Sequence, residues 1–219
     1  MNRLALFDCD GTLVDSQHSI RAALEVCFAE AGLDLPPPER TRRIVGLSLV
    51  EAMADLLPDA PDALHVDLAE GYKRAFQAMR AAGPVDEPLF PGVADLLDRL
   101  EADGWLLGVA TGKSDRGLAL CLGCHDLHHR FVTLQTADRH PSKPHPSMAA
   151  QAMADAGSRP ETTVVIGDTS YDMGMARNAG ATAVGVAWGY HDPLTLWAAG
   201  ANHVIDHPRE LIDIVQAVS

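Results

Sequence analysis

The chain of 219 residues carries 17 Lys and Arg against 30 Asp and Glu, a formal charge of −13, with 47% hydrophobic residues. That balance argues against a binder of the nucleic-acid backbone, and no apolar run approaches the ~18 residues of a membrane span. Four cysteines (Cys9, Cys27, Cys121, Cys124) are too few for a disulfide scaffold, and Asp8 cuts the first apolar run too early for a secretory leader, so a cytoplasmic protein is expected.

Taken in order, the apolar runs are short and end in small or polar residues. Leu4–Phe7 runs into Asp8, and Trp105–Ala110 into Thr111. Phe131–Leu134, Thr163–Ile166 before Gly167, and Thr182–Trp188 follow. Near-continuous apolar runs suit strands of a parallel sheet buried on both faces. Helical patterns lie between them, among them Gly92–Gly104 and His145–Gly157, each closed by a glycine. The alternation predicts an α/β fold, a doubly wound parallel sheet with a Rossmann-like core.

One interval breaks the rhythm. Between Ser16 and Pro84 the sequence contains no strand pattern, only amphipathic helical segments at Ser16–Gly32, Pro36–Gly46, Ser48–Pro58 and Pro61–Gly83. This block is too long for an ordinary crossover. It is expected to be an inserted α-helical cap domain (16–84) on a core of residues 1–15 and 85–219.

Ligands of open parallel sheets bind beyond the carboxyl ends of the strands. There the sequence places Asp8, Asp10, Gly11 and Thr12 after the first strand, and Thr111, Gly112 and Lys113 after the second. Asp168 and Asp172 stand in "GDTSYD", and Lys143 in "SKPHP". Clustered carboxylates raise one another's pKa unless a cation joins them. Oxygen-only ligands favour Mg²⁺, and a Mg²⁺ site with open positions usually serves a phosphate. Thr111 and the backbone N–H groups near Cys9, Asp10 and Gly112 can hold phosphoryl oxygens, Lys143 supplies positive charge, and Gly11 permits close approach.

Each motif has a plainer reading. "DCDG" could open a calcium loop, but the position of the closing Glu is Ser19. Asp172 suits a helix N-terminus electrostatically. Cys121, Cys124, His128 and His129 lack the longer separation between ligand pairs usual for zinc, so packing of Cys121 is preferred. His18, His65, His140, His145, His191, His203 and His207 are scattered and read as surface or loop residues.

The motifs "DCDGT", "ATG", "SKP" and "GDTSYD", in that order, resemble those of the haloacid dehalogenase-like hydrolase superfamily. "FDCDGTLVDS" and "GDTSYDMGMARNAGA" are most similar to its phosphoglycolate phosphatase-like members. The resemblance implies a phosphatase of a small phosphorylated metabolite. In it Asp8 is the nucleophile that becomes an aspartyl-phosphate, and Asp10 the acid/base. Thr111 and Lys143 hold the phosphoryl group, and Mg²⁺ is bound by Asp8, the Asp10 backbone carbonyl and Asp168, with Asp172 supporting. A sugar-phosphate mutase, a pyrophosphatase and a non-enzymatic phospho-switch remain as alternatives. Within the cap, Arg42 and Arg43 are expected to face the site and meet a second anionic group, with Gly46 ending their helix and Ser48 capping the next.

Overall fold

Leu4–Phe7 forms strand β1, in which Ala5 and Phe7 enter one buried cluster while Leu4 and Leu6 enter another. Side chains alternate across a strand, so a run that is apolar at every position demands cover on both faces. The computed structural model, which describes residues 2–217, supplies that cover. β2 (Leu106–Thr111), β3 (Phe131–Thr136), β4 (Thr163–Gly167), β5 (Thr182–Val186) and β6 (His203–Ile205) join β1 in one parallel sheet ordered β3-β2-β1-β4-β5-β6. Helices α5 (Val93–Ala102), α6 (Asp115–Cys124) and α10 (Leu211–Ala217) cover one face. On the other lie α7 (Ser147–Ala156), α8 (Ser170–Asn178) and α9 (Pro193–Ala198). β1 pairs with β2 on one side and β4 on the other, so the direction of winding reverses beside it. Residues following β1 and β4 therefore meet in the crevice where open α/β sheets bind ligands.

The predicted helical block is α1 (Gln17–Glu30), α2 (Pro38–Arg43), α3 (Leu49–Leu56) and α4 (Asp62–Ala82). These helices bury their own cluster, including Leu24, Phe28, Met53 and Leu68, and Tyr190 of the core enters it from below. Two chain segments running side by side form a neck to the sheet. Asp15 N–H donates to the Pro88 carbonyl at 2.8 Å and Phe90 N–H to that of Leu13 at 3.0 Å.

Three local expectations change. β6 carried no readable signal: it spans three residues, His203 is exposed and Val204 half-buried, and it exists only through pairing with β5. The run expected to continue to Trp188 leaves the sheet after Val186, because the chain turns back toward the site. There Trp188 Nε1–H donates to the Thr12 carbonyl at 3.2 Å. Ser48 stands at the start of α3 without a side-chain cap bond and instead donates its hydroxyl to Glu51.

Leu97 of α5 is fully buried in the cluster beneath β1 and β2. Leu97→Ala is expected to lower unfolding free energy by about 2–5 kcal/mol, read as a shift of the urea midpoint at unchanged slope. A loss under about 1 kcal/mol would show that the cluster does not bear on the fold.

Candidate active site

Asp8 leaves β1 with its backbone N–H bonded to Ile166 O of β4 at 2.8 Å, which fixes it between the two strands at the reversal point. Its Oδ1 accepts from Cys9 N–H at 2.6 Å and from Lys143 Nζ at 2.9 Å. Its Oδ2 is buried and has no partner. Lys143 lies between β3 and α7, is 1% exposed, and also reaches Asp172 Oδ1 at 2.7 Å. Asp172 Oδ2 accepts from the Thr169 hydroxyl at 2.6 Å and the Thr169 N–H at 3.1 Å, the capping box that starts α8. Asp172 thus both starts α8 and belongs to the acidic cluster. Asp168 accepts from the Thr12 hydroxyl and from Tyr190 N–H, both at 2.9 Å.

Oxygens of Asp8, Asp168 and Asp172 lie within 4.8 Å of one another. This is the one cluster of metal-ligating groups found among the described residues, so Cys121, Cys124, His128 and His129 do not form a zinc site. Cys121 is packed against Cys9, Sγ to Sγ at 3.9 Å, while Cys124 is exposed. Burial, opposed by Lys143 and reinforced by Asp172, pushes the Asp8 carboxyl up to about 7. Burial and then the Asp8 charge hold Asp168 well above the usual carboxylate range. Burial alone would lower Lys143, but Asp172 and Asp8 outweigh it and keep the ammonium charged. One lysine among three buried carboxylates leaves negative charge uncompensated. A hard divalent cation fits that deficit, the oxygen-only donor set and the orphaned Asp8 Oδ2.

Gly11 holds φ of +81°, and a Cβ there would collide with the Asp168 carboxylate. Only glycine lets the turn after Asp10 pass this close to the acidic cluster.

The chain has counterparts among known proteins. The model of the haloacid dehalogenase-like hydrolase family matches residues 5–186. The chain belongs to that family. It is 32% identical over its full length to "Probable phosphatase IndB" of Dickeya dadantii, covering 95% of that protein. It is 30% identical to a phosphoglycolate phosphatase of Pseudomonas putida, over 96% of this chain and 78% of that one. It is also 30% identical to an N-acetylmuramic acid 6-phosphate phosphatase of Pseudomonas aeruginosa, over 97% and 94%. Among solved structures, a hydrolase from Pseudomonas syringae superposes with a TM-score of 0.86 at 26% identity, covering 100% of both chains. The protein is a haloacid dehalogenase-like phosphatase that hydrolyses a phosphorylated substrate.

In this phosphatase Asp10 faces away from the acidic cluster. Its Oδ1 meets Lys113 Nζ at 2.8 Å and accepts from the Ser16 hydroxyl. Lys113 also pairs with Glu87 at 2.9 Å, and Glu87 with Arg80 of α4 at 2.7 Å. Burial would lower the Lys113 ammonium, but Asp10, Cys9 and Glu87 hold it well above its ordinary value. Sequence reasoning named Lys113 without a role and missed Glu87, Arg80 and Ser16. The available signal was position: Lys113 is two residues past Thr111, and Ser16 and Glu87 flank the insert.

Thr111 ends β2, is buried, and accepts from Lys113 N–H at 3.2 Å. Gly112 lies directly under the cap, since a Cβ there would sit 2.5 Å from Leu47 O. The same cap loop is stitched to the core by Ser48 N–H to the Ser142 hydroxyl at 2.9 Å and by His191 Nε2 with Arg43 O at 3.1 Å. His191, like His65 on α4, is buried rather than a surface residue.

Arg42 and Arg43 are not brought to the site. Both are exposed, and the Arg42 guanidinium lies beside the Gln17 amide on the outer side of α1. α2 turns its last-turn arginines outward because Ile44 and Val45, which follow, take the buried positions. A cavity of about 780 Å³ opens instead between cap and core, with Asp10, Gly112 and Lys113 on its floor and Lys73, Arg80 and Arg116 among its lining. Lys73 borders this cavity while paired to Glu70 at 2.8 Å.

A carboxyl raised from 3.8 to about 7 on folding keeps its proton where the unfolded chain has lost it. Unfolding then releases a proton, so this group's contribution to stability falls as pH rises from about 4 to 7. In chelator the melting temperature is expected to drop between about pH 5 and pH 8, and added divalent cation to raise it more at the higher pH. No response to cation at either pH would remove these carboxylates as a metal site.

Proposed function

We propose that this phosphatase is a Mg²⁺-dependent phosphomonoesterase working through an aspartyl-phosphate on Asp8. The observation that carries the reading is the bare Asp8 Oδ2. Every other oxygen of the three buried carboxylates already has a donor. In a dry site an unpartnered carboxylate oxygen is costly, and it is the atom left for an electrophile or a cation. Asp8, Asp168 and the Asp10 backbone carbonyl would hold Mg²⁺, with Asp172 supporting through Lys143 or water. Bound there, Mg²⁺ offsets the charge of the phosphoryl oxygens.

The Asp8 carboxylate attacks phosphorus and forms an O–P bond as the ester P–O bond breaks. Asp10 gives its proton to the departing alkoxide. It then takes a proton from the water that attacks phosphorus and releases Asp8. Thr111, the N–H groups after Asp8 and at Gly112, and Lys143 orient the phosphoryl oxygens. Asp8 and Asp10 are one residue apart but have different partners, which suits two carboxylates with different tasks. Asp8 is only 2% exposed and the Gly46–Leu47 loop lies on Gly112, so substrate entry requires the cap to lift.

The substrate is a small phosphorylated metabolite. Relatives named for phosphoglycolate and N-acetylmuramic acid 6-phosphate support a phosphomonoester. Four free thiols suit a reducing, cytoplasmic setting.

Asp8→Asn should keep the fold and retain less than a few per cent of phosphate release. Substantial turnover in the purified variant would end the covalent mechanism. Asp10→Asn should lose most on alkyl phosphates and least on aryl phosphates, whose leaving groups need no acid. Equal losses on both would take Asp10 out of that role.

A further inference from the structure

We infer that the cap cavity selects monophosphates of bulky, largely apolar alcohols, with Arg116 meeting a single anionic substituent. The inference rests on the proposed chemistry at the phosphoryl end and concerns the rest of the substrate. At about 780 Å³ the cavity has the capacity of a pocket for a drug-sized ligand. Its floor is Asp10, the proposed donor to the leaving group, so whatever fills it is the alcohol being released. Its wall is built from Leu24, Ile44, Val45, Leu47, Met53 and Phe76.

The charges around the cavity are mostly spent. Lys73 is paired with Glu70, Arg80 with Glu87, and Lys113 with Asp10 and Glu87. Asp138 already accepts from Asp115 N–H at 2.8 Å. Among the described residues Arg116, on the first turn of α6, makes no ion pair or side-chain hydrogen bond. A polyhydroxylated alcohol would exchange water for hydrocarbon along most of this wall, at a cost for each unpaired hydroxyl. A two-carbon acid would leave the wall wet. An apolar body gains free energy in proportion to the area it removes from water, and one carboxylate can be met by the Arg116 guanidinium.

The test uses esters of primary alcohols and their non-hydrolysable phosphonates, in the presence of Mg²⁺. Hydrolysis of 2-phenylethyl phosphate is compared with that of ethyl phosphate and phosphoglycolate, and binding of 2-phenylethylphosphonate with that of ethylphosphonate by calorimetry. The phenylethyl compounds are expected to be favoured at least tenfold in kcat/KM and in Kd. Leu47→Asn and Phe76→Ser should each lower that ratio at least threefold. 4-(2-Phosphonoethyl)benzoate should bind at least fivefold tighter than 2-phenylethylphosphonate, and Arg116→Gln should erase that difference. Turnover of ethyl phosphate with no phenylethyl preference in either readout would overturn the inference and leave the catalytic reading standing. Preference among phosphonates without hydrolysis of any ester would do the reverse.

Discussion

A buried ammonium holds the site together. Lys143 bridges Asp8 and Asp172 in a region where all three are essentially out of water. Removing one partner of such a group leaves an uncompensated buried charge, which is far costlier than losing a surface pair. The bridge is also a chain of positioning. Asp172 starts α8 through the Thr169 capping box, Lys143 is anchored on Asp172, and Asp8 is anchored on Lys143. Lys143 is seated from behind as well: Pro144 packs so close to α8 that a Cβ at Gly174 would lie 2.7 Å from it. Helix capping, loop packing and the orientation of the Asp8 carboxylate are therefore one arrangement.

A second charge network lies on the other side of the same motif. Lys113 of the core, Glu87 of the neck and Arg80 of the cap run in sequence from Asp10 to α4. Asp10 is thereby tied through Lys113 and Glu87 to α4 of the cap. Asp8 has a separate set of partners, Cys9 N–H and Lys143.

The parallel sheet, the helical insert and the acidic cluster were legible because each leaves a local mark. Doubly covered strands are buried at every position and read as near-continuous apolar runs, as β1 and residues 164–166 of β4 do. A helical block between two strands shows in the absence of that pattern. Carboxylates at successive strand ends must converge once the strands are parallel. β6 left no such mark, since three residues with an exposed histidine gain their conformation from β5 alone. Arg42 and Arg43 misled because charge type is visible in a sequence and direction is not. Ile44 and Val45 are buried, and the two arginines just before them are left exposed.

By itself, the sequence determined the family, the fold class and the acidic cluster at the strand ends, because those depend on residue types whose order follows the chain. Only the tertiary structure decided which face of the cap meets the core. It alone paired Lys113 with Asp10 and Glu87, and it alone left Arg116, among the described residues, beside a largely apolar cavity without an ion pair. These are contacts between residues far apart in the chain. Their partners are chosen by how helices pack and how the neck aims the cap, and no local pattern records that choice.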